Sequence, residues 1–268
     1  MKALFSKFII LFLCLSVSCS GLNTPKDVIP RNSFLKLDKK IRVTVCNPVN
    51  PDQCIERGMG ATGSGVVVQS EPEGAYVLTA AHVCDNSDLN KLSPAVKTLE
   101  YRFKVIDIKG RGYNINLFSM DRKSDTCVMF VEGLQASAAS ISTSAPEPGD
   151  RVYNLAAPMG IFDVYMIPTF EGFYNGETRK KHIYSIPAKG GSSGSPIFNH
   201  KGEIVGMISM AFRYFSHLSI SPSHKQIVDH VKRAIQADMV RRGRFTIIDQ
   251  IFLFLKSKNP CLLPYNEV

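Results

Sequence analysis

Several patterns that would assign the chain to a special class of protein are missing from its sequence. The 268 residues contain no tandem repeat, no coiled-coil heptad and no collagen-like period. They also contain no Cys-x-x-Cys pair, no His/Cys spacing of the kind that zinc sites use, and no nucleic-acid-binding motif. Hydrophobic residues make up 44% of the chain and charged residues 21%, which are ordinary values for a globular protein. We therefore expect a globular chain without a bound metal, an organic cofactor or a nucleic-acid partner.

Acidic residues are in the minority. The chain has 32 Lys and Arg residues against 23 Asp and Glu residues, which gives a formal net charge of +9. A basic surface can attract anionic envelopes, acidic polymers or acidic partners. Because no nucleic-acid motif accompanies the charge, the simplest interpretation is a solvated basic surface.

The first 20 residues differ from the rest of the chain. Two lysines precede the apolar run 8–17, and small residues follow it. A basic start, a short apolar core and a small-residue exit are typical of a secretory signal peptide, and the run is shorter than a membrane span of roughly 20 apolar residues. We predict a signal peptide over residues 1–20 and a secreted, periplasmic or cell-envelope location. The sequence around Cys19 also resembles a weak lipoprotein cleavage site.

The remaining chain divides by composition. Residues 21–37 are polar with two prolines and are predicted to be a leader. Short apolar runs separated by turn residues follow, a pattern typical of β-barrels. Small and polar residues from 136 to 148 indicate a linker. We place a first β-unit at 38–135, and the linker, a second β-unit and a closing helix at 136–238.

The hydrophobic period changes at the end of the second unit. Apolar residues recur at helical spacing from Ile227 to Met239, and Ser223 can serve as the N-cap of a helix. The tail, residues 239–268, contains the apolar run 245–255 directly after a basic segment. This run is too short to span a bilayer, so we expect it to dock against the barrels. Weak membrane or envelope contact through the tail is the alternative.

A glycine- and serine-rich stretch, Lys189–Phe198, has the composition of a nucleophile loop. It reads Lys-Gly-Gly-Ser-Ser-Gly-Ser-Pro-Ile-Phe. Glycine adopts backbone angles that other residues avoid, so such a turn can aim a serine hydroxyl and nearby N–H groups at one point. Acyl transfer needs a nucleophile beside preformed donors for the developing oxyanion. By itself the stretch also fits a flexible Gly/Ser loop.

Two further stretches supply residues that could activate a serine. Tyr76–Cys84 is an apolar run that ends in Thr-Ala-Ala before His82. Ser124–Val131 places Asp125 at the head of another apolar run. The chain order is therefore His, Asp, Ser, which is the order in chymotrypsin and differs from those in subtilisin and the α/β-hydrolases.

These three motifs together resemble the signatures of trypsin-like, chymotrypsin-fold serine peptidases. The likeness is greatest to the bacterial Htr-type and glutamyl-endopeptidase-type enzymes, and the roughly thirty residues after the helix are too few for a PDZ domain. The resemblance implies an all-β fold of two six-stranded antiparallel β-barrels. The active site would lie between the barrels, and a C-terminal helix would close the fold.

The resemblance also implies a role for each motif residue. Ser193 would be the nucleophile, His82 the general base and acid, and Asp125 the residue that orients His82. The N–H groups of Gly191 and Ser193 would form the oxyanion hole, and Ser209 would support the aspartate. Asp121 is the competing aspartate, and the neighbouring serines Ser192 and Ser195 are the competing nucleophiles.

The specificity pocket is predicted by the same alignment of motifs. Its residues are Pro187, Ala188, Ser209, Ala211 and His217. Pro187 stands where trypsin carries an aspartate, so a Lys or Arg side chain would be buried without a partner. The small alanines favour a medium apolar side chain on the acyl side of the scissile bond, the P1 position. His217 favours an acidic P1 residue as the alternative.

The function expected from these observations is a secreted or envelope serine endopeptidase that acts on proteins or peptides through an acyl-enzyme. A catalytically inactive binding module with a protease fold is one alternative, and an esterase on a non-peptide substrate is another.

Five cysteines follow the signal region, at positions 46, 54, 84, 127 and 261. Cys46 and Cys54 flank a turn-rich loop that a disulfide could close. By resemblance to enzymes that tie down the histidine loop, Cys84 could instead pair with Cys46.

Overall fold

The computed structural model describes residues 28–244 except for 48, 51, 88–95, 180 and 213. In this part of the chain, two antiparallel β-sheets of seven strands each account for most of the structure. The predicted signal peptide, the lipidation site at Cys19 and most of the predicted tail lie outside the described residues. Among the described helices, none is both long and apolar enough to cross a membrane.

The first sheet contains the strands from the N-terminal half of the chain. Its spatial order is β5-β4-β1-β2-β3-β7-β6. The strand bounds are β1 (Phe34–Cys46), β2 (Cys54–Glu71), β3 (Gly74–Thr79), β4 (Val96–Ile106), β5 (Gly112–Asn114), β6 (Leu117–Asp121) and β7 (Thr126–Glu132). The interior strand β3 is buried along its whole length, so it appears as a mostly apolar run in the sequence.

The second sheet follows the predicted linker. Its spatial order is β12-β11-β8-β9-β10-β14-β13. The strand bounds are β8 (Arg151–Leu155), β9 (Thr169–Thr178), β10 (Lys181–Tyr184), β11 (Pro196–Phe198), β12 (Ile204–Met207), β13 (Met210–Phe212) and β14 (Phe215–Pro222). Successive side chains of β8 point to opposite faces and enter two different clusters of buried hydrophobic residues. Val152 belongs to a cluster within the second half of the fold, whereas Tyr153 belongs to a cluster shared with the first sheet.

The predicted all-β fold with two β-units and a closing helix is confirmed, and each sheet curls into a half-barrel. The strand count differs, because each sheet has seven strands where six were expected. In the first sheet, the short strands β5 and β6 are neighbours in the sequence but pair with opposite ends of the sheet. The first strand also begins at Phe34, inside the stretch that was predicted to be a leader.

Two α-helices complete the described fold, together with the short 3-10 helices Arg31–Ser33 and Pro158–Gly160. The short helix α1 (Ala81–Cys84) follows β3, and α2 (His224–Arg241) follows β14. Ser223 caps α2 through a capping box with Gln226, as the Ser-x-x-Gln spacing favours. The C-terminal end of α2 is anchored on the first half-barrel, where the buried Asp238 accepts a 2.9 Å hydrogen bond from the hydroxyl of Tyr76.

The cysteines pair as Cys46–Cys54 and Cys84–Cys127. The first pair is one of the two arrangements left open by the sequence. The other arrangement, Cys46 with Cys84, is wrong, because Cys46 lies at the far end of the β1–β2 hairpin whereas Cys84 lies against β7. Cys261 is outside the described residues.

The two disulfides should contribute unequally to stability. In the chain-entropy model, closing the 43-residue loop of Cys84–Cys127 stabilises the fold by about 4 kcal/mol, and closing the 8-residue loop of Cys46–Cys54 by about 2.5 kcal/mol. We expect urea unfolding of the double Cys→Ser variants to show a clearly greater loss for the first pair. Equal losses, or a greater loss for the Cys46–Cys54 pair, would contradict the expectation that the longer loop gives Cys84–Cys127 the larger contribution to stability.

Candidate active site

His82 stands at the surface on a firmly held backbone. It lies in α1, directly after the buried strand β3. The other three residues of α1 are buried, whereas the His82 side chain is 51% exposed. The disulfide from Cys84 to Cys127 attaches this turn to β7. The imidazole is therefore accessible to solvent, while the buried residues of α1 and the disulfide hold its backbone in place.

Asp125 contacts His82 from the turn position directly before β7. Its Oδ2 atom lies 2.9 Å from Nδ1 of His82, and the backbone N–H of His82 donates to Oδ1 at 3.0 Å. The hydroxyl of Ser209 donates a short hydrogen bond to Oδ2. Burial alone would raise the pKa of Asp125, but the bonds from His82 and Ser209 outweigh burial and lower the pKa. A charged carboxylate at this place favours a proton on Nδ1, which leaves Nε2 as the basic nitrogen.

The backbone of Asp125 is held in the left-handed region, with φ 57°. On either side of it, the hydroxyls of Ser124 and Thr126 share a buried 2.8 Å hydrogen bond, and Thr126 is 2.6 Å from Nδ1 of His230 on α2. The carboxylate of Asp121 accepts from the N–H of Lys123 and closes the hairpin turn. Asp121 thus shapes the turn, and Asp125 faces His82.

Ser193 lies in a tight loop made possible by two glycines. Gly191 has φ 96° and Gly194 has φ 85°, and a Cβ atom at either position would collide with a neighbouring backbone oxygen. The N–H groups of Ser192, Gly194 and Ser195 each donate to a backbone carbonyl. Among the described residues, no backbone carbonyl accepts from the N–H of Gly191 or Ser193. These two donors have the availability that an oxyanion hole requires.

Ser64 on β2 connects the nucleophile loop to the first half-barrel. Its N–H donates to the carbonyl of Ser193 at 2.8 Å, and its hydroxyl donates to the carbonyl of Gly191 at 2.8 Å. The same hydroxyl accepts from the N–H of Ala157 at 3.0 Å, and the carbonyl of Ser64 accepts from Thr79 at 2.8 Å. Ser64 is fully buried and all its polar groups are used. The sequence analysis missed this residue, although it lies in a Gly-Ser-Gly segment at the start of the buried part of β2.

The three predicted catalytic residues border one cleft of about 730 Å³. Basic side chains are prominent among the residues that line it. The lining consists of His82, Arg122, Lys123, Asp125, Lys181, Ala188, Lys189, Gly190, Ser193, Ile208, Ser209, Met210, Ala211, Phe212 and Ser216. The sequence analysis did not anticipate Lys181 here, because Lys181 reaches the cleft only through the pairing of β10 with β14.

The predicted specificity residues are only partly brought together. Ala188, Ser209 and Ala211 line the cleft, whereas Pro187 and His217 are not among its lining residues. His217 is exposed on β14 and contacts the ring of Phe215. Its neighbour Ser216 lines the cleft instead, since successive side chains of a strand point to opposite faces.

A second histidine also has hydroxyl partners. His230 lies 3.2 Å from Ser119 and 2.6 Å from Thr126, but it is 4% exposed and sits under the hairpin that carries Asp125. Burial lowers the pKa of His230. The competing nucleophile Ser195 is fully buried, and its hydroxyl accepts from Asn154 inside the second half-barrel. Both arrangements resemble structural networks more than a reactive centre, because neither His230 nor Ser195 lines the cleft.

The described residues contain no group of three or more His, Cys, Asp or Glu side chains that could hold a metal ion. The hydroxyl, imidazole and carboxylate groups at the cleft are instead the set that nucleophilic acyl transfer uses.

Residues 63–207 match the model of the trypsin-like peptidase domain. Since the match covers more than half of the chain, this chain belongs to the trypsin-like peptidase family. The family predicted from the three motifs is therefore confirmed. A search of curated protein sequences finds no match.

Many solved structures resemble this fold, and two of them illustrate the likeness. One is the active form of the Rv3671c protease from M. tuberculosis, with TM-score 0.52 and 14% identity over 76% of this chain and 81% of that chain. Another is the serine endoprotease from Yersinia pestis, with TM-score 0.55 and 16% identity over 77% of this chain and 64% of that chain. This chain therefore spans less than two thirds of the Yersinia protein. At these identities the likeness shows a common fold.

Replacing Ser64 by Ala should weaken both the fold and the nucleophile loop. The change leaves two buried backbone groups, at Gly191 and Ala157, without their partner, which costs about 2–4 kcal/mol. We expect urea unfolding to show this loss. Ser70→Ala on the same strand is the control, because that hydroxyl forms an exposed bond to Ala136 and its loss should cost less than about 0.5 kcal/mol. Equal stability of the Ser64 and Ser70 variants would contradict the role of Ser64.

Proposed function

We propose that this protein is a serine endopeptidase in which Ser193, His82 and Asp125 form the catalytic triad. The observation that carries the proposal is the hydrogen-bonded series from Ser209 through Asp125 to His82, which faces the same cleft as Ser193. The family supports peptide-bond hydrolysis as the class of reaction. The two backbone donors beside Ser193 supply the second requirement for acyl transfer, since they can stabilise the charge that develops on the carbonyl oxygen.

The reaction follows from these positions. His82 Nε2 takes the hydroxyl proton of Ser193. At the same time Ser193 Oγ bonds to the scissile carbonyl carbon, and the electron pair of the carbonyl π bond moves to the carbonyl oxygen. The N–H groups of Gly191 and Ser193 bind that oxyanion. Collapse breaks the C–N bond, and the leaving amine takes the proton from His82. Water then attacks the acyl-enzyme, gives its proton to His82, and releases the acid as Ser193 regains its proton.

Two rival functions are open to the same fold. An inactive binding module usually shows a substituted triad member, whereas all three residues are present here. An esterase on a non-peptide substrate would use the same triad, so the triad does not distinguish it from a peptidase. Action outside the cytoplasm is part of the proposal, and the two disulfides support it because such bonds persist in oxidising compartments.

The triad assignment predicts selective loss of reaction with a fluorophosphonate probe. Ser193→Ala should abolish labelling, and His82→Ala should lower the labelling rate by about three orders of magnitude or more. Asp125→Asn should also lower it strongly, because the substitution favours the wrong tautomer of His82. The measurement is the rate of adduct formation by intact-mass spectrometry, with Ser192→Ala and Asp121→Asn as controls that keep the reaction.

Labelling that persists in Ser193→Ala would move the nucleophile to another serine. A strong loss in Asp121→Asn together with normal labelling in Asp125→Asn would transfer the orienting role to Asp121. The esterase function would be favoured if the protein is labelled normally and hydrolyses simple esters but cleaves no peptide.

We expect a P1 peptide library to show cleavage after Val, Leu or Met. Ala188, Ala211 and Ile208 provide an open apolar wall, while Arg122, Lys123, Lys181 and Lys189 along the cleft oppose a Lys or Arg side chain. Preference for Lys or Arg would therefore refute this assignment of the pocket. An acidic P1 residue is the second candidate, and the two lysines Lys181 and Lys189 favour it. If the enzyme prefers Glu at P1 and this preference is lost in Lys181→Gln or Lys189→Gln, the acidic P1 assignment is correct and the apolar one is wrong.

A further inference from the structure

The loop between β8 and β9, residues 156–168, carries a cluster of exposed apolar side chains. From position 158 to 168 it reads Pro-Met-Gly-Ile-Phe-Asp-Val-Tyr-Met-Ile-Pro. Five of its side chains are between 43% and 74% exposed, namely Met159, Ile161, Val164, Tyr165 and Met166. No other stretch of eight residues in the described part of the chain exposes as many large apolar side chains. Exposed apolar residues that are grouped in this way mark an interaction site, whereas scattered ones do not.

Hydrogen bonds fix the tip of the β8–β9 loop. The N–H of Asp163 donates to the carbonyl of Met166 at 3.1 Å, and the N–H of Met166 donates to the carbonyl of Asp163 at 2.9 Å. Val164 and Tyr165 are therefore the two corner residues of a tight turn. The N–H of Tyr165 donates to the carbonyl of Ile108 at 2.9 Å, which attaches this turn to the one that follows β4. A partner thus meets a surface that is already formed, and binding requires little ordering of the loop.

Other residues of the loop pack it against the protein. Ile167 is buried in the core cluster that both sheets share, and the ring of Phe162 lies 6.1 Å from the ring of Phe34. The exposed apolar side chains at the tip are therefore not what holds the loop in place. Their exposure has no explanation in the fold, because a polar side chain at the same positions would face water at lower cost.

Basic side chains surround the apolar tip. The guanidinium of Arg31 lies 3.5 Å from the carbonyl oxygen of Tyr165, and Nζ of Lys36 lies 6.0 Å from the ring centre of Phe162. A Cβ atom on Gly110 would lie 3.0 Å from the side chain of Val164, so the segment Lys109-Gly-Arg111 lies directly against the tip.

Most of this positive charge is not neutralised within the protein. Arg111 forms an ion pair with the buried Asp107 at 2.7 Å. In the part of the chain that the structure describes, no carboxylate lies within ion-pair distance of Arg31, Lys36 or Lys109. Asp163 is the one acidic residue between positions 156 and 168, and its carboxylate accepts from the N–H of Val164 at 2.7 Å. Three cations around one exposed carboxylate favour an anionic partner.

An apolar tip within a ring of cations matches the chemistry of an anionic lipid surface. Apolar side chains enter the boundary between headgroups and acyl chains, and a tyrosine is well suited to the headgroup level. Lysine and arginine side chains can reach the lipid phosphates while their aliphatic stems cover apolar surface.

From this arrangement we propose that the β8–β9 loop binds an anionic lipid surface. The side chains that enter the interface are Ile161, Val164 and Tyr165. The cations that contact the headgroup phosphates are Arg31, Lys36 and Lys109. Because the N–H of Met159 donates to the carbonyl of Gly190 at 2.6 Å, the loop starts beside the nucleophile loop. Lipid binding therefore holds the candidate active site close to the lipid surface.

The absence of tryptophan from the chain gives a direct test. Tyr165→Trp places a single fluorophore at the tip of the loop. Phe215→Trp is the control at the start of β14, since Phe215 is 56% exposed and Tyr165 is 64% exposed. With vesicles of phosphatidylcholine and phosphatidylglycerol in equal parts, the emission of Tyr165→Trp should shift to shorter wavelength and be quenched by brominated lipid. The emission of Phe215→Trp should not change, and vesicles of phosphatidylcholine alone should bind the protein more weakly.

Partition into the same vesicles measures the contribution of single side chains. Ile161→Ser and Val164→Ser should each lower the partition coefficient about tenfold, because each removes an apolar side chain from the interface. Val240→Ser is the matched control, since Val240 is similarly exposed but lies near the end of α2. Lys109→Gln should lower the partition coefficient about fivefold, whereas Lys201→Gln, on the exposed turn after β11, should leave it unchanged. Added salt should weaken binding of the wild type because it screens the lysine and arginine charges.

Two controls separate lipid binding from folding and from catalysis. The substituted side chains are exposed, so each variant should unfold at the wild-type temperature, and circular dichroism checks this. Ser193→Ala, which removes the proposed nucleophile, should bind vesicles as the wild type does. The failure of the lipid proposal therefore leaves the proposed catalytic function standing, and the reverse also holds.

Three results would overturn the proposal. The first is a wild-type protein that does not partition into the anionic vesicles. The second is a partition coefficient that is unchanged in Ile161→Ser and Val164→Ser, and a loss in Val240→Ser instead would place the contact near the C-terminal tail. The third is self-association in the absence of lipid that Ile161→Ser abolishes, because the loop would then bind a second copy of the chain.

Discussion

Ser64 is the point on which the assembly of the site depends. It belongs to the first half-barrel, yet its N–H and hydroxyl bind the carbonyls of Ser193 and Gly191 in the second. These bonds hold the backbone of the nucleophile loop against the first half-barrel. Ser64 is buried and all its polar groups are hydrogen-bonded, so it can fix the position of the loop, because leaving any of its buried partners without a hydrogen bond is costly.

The remaining parts of the site are divided between the same two halves. His82 and Asp125 come from the first half-barrel, whereas Ser193 and Ser209 come from the second, so the proposed catalysis requires the halves to be docked correctly. The helix α2 reinforces this docking: it begins after the last strand of the second sheet and ends against Tyr76 of the first. Near that end, Arg242 lies 3.7 Å from the ring centre of Phe130. The helix thus acts as a clamp far from the chemistry.

The sequence was sufficient for features that are encoded locally. Short stretches of sequence were enough to predict the three motifs, the family, the all-β fold and the capped helix, because each depends on local composition and residue spacing. Features created by long-range pairing were missed: Ser64 acquires its role from residues more than 90 positions away, and the Cys84–Cys127 bond from the docking of α1 on β7. The exposure of His217 was missed for a similar reason, since it depends on which face of β14 meets the cleft.

The central claim is that Ser193 is activated by His82 and served by the backbone donors at Gly191 and Ser193. A crystal structure of the protein after reaction with a fluorophosphonate tests this most directly. The account predicts a phosphonyl group on Ser193 Oγ, with one oxygen about 2.7–3.1 Å from both backbone nitrogens. It also predicts that His82 Nε2 faces the modified oxygen while Nδ1 stays on Asp125. An adduct on Ser192 or Ser195, or a phosphonyl oxygen turned away from the N–H of Gly191, would contradict the account.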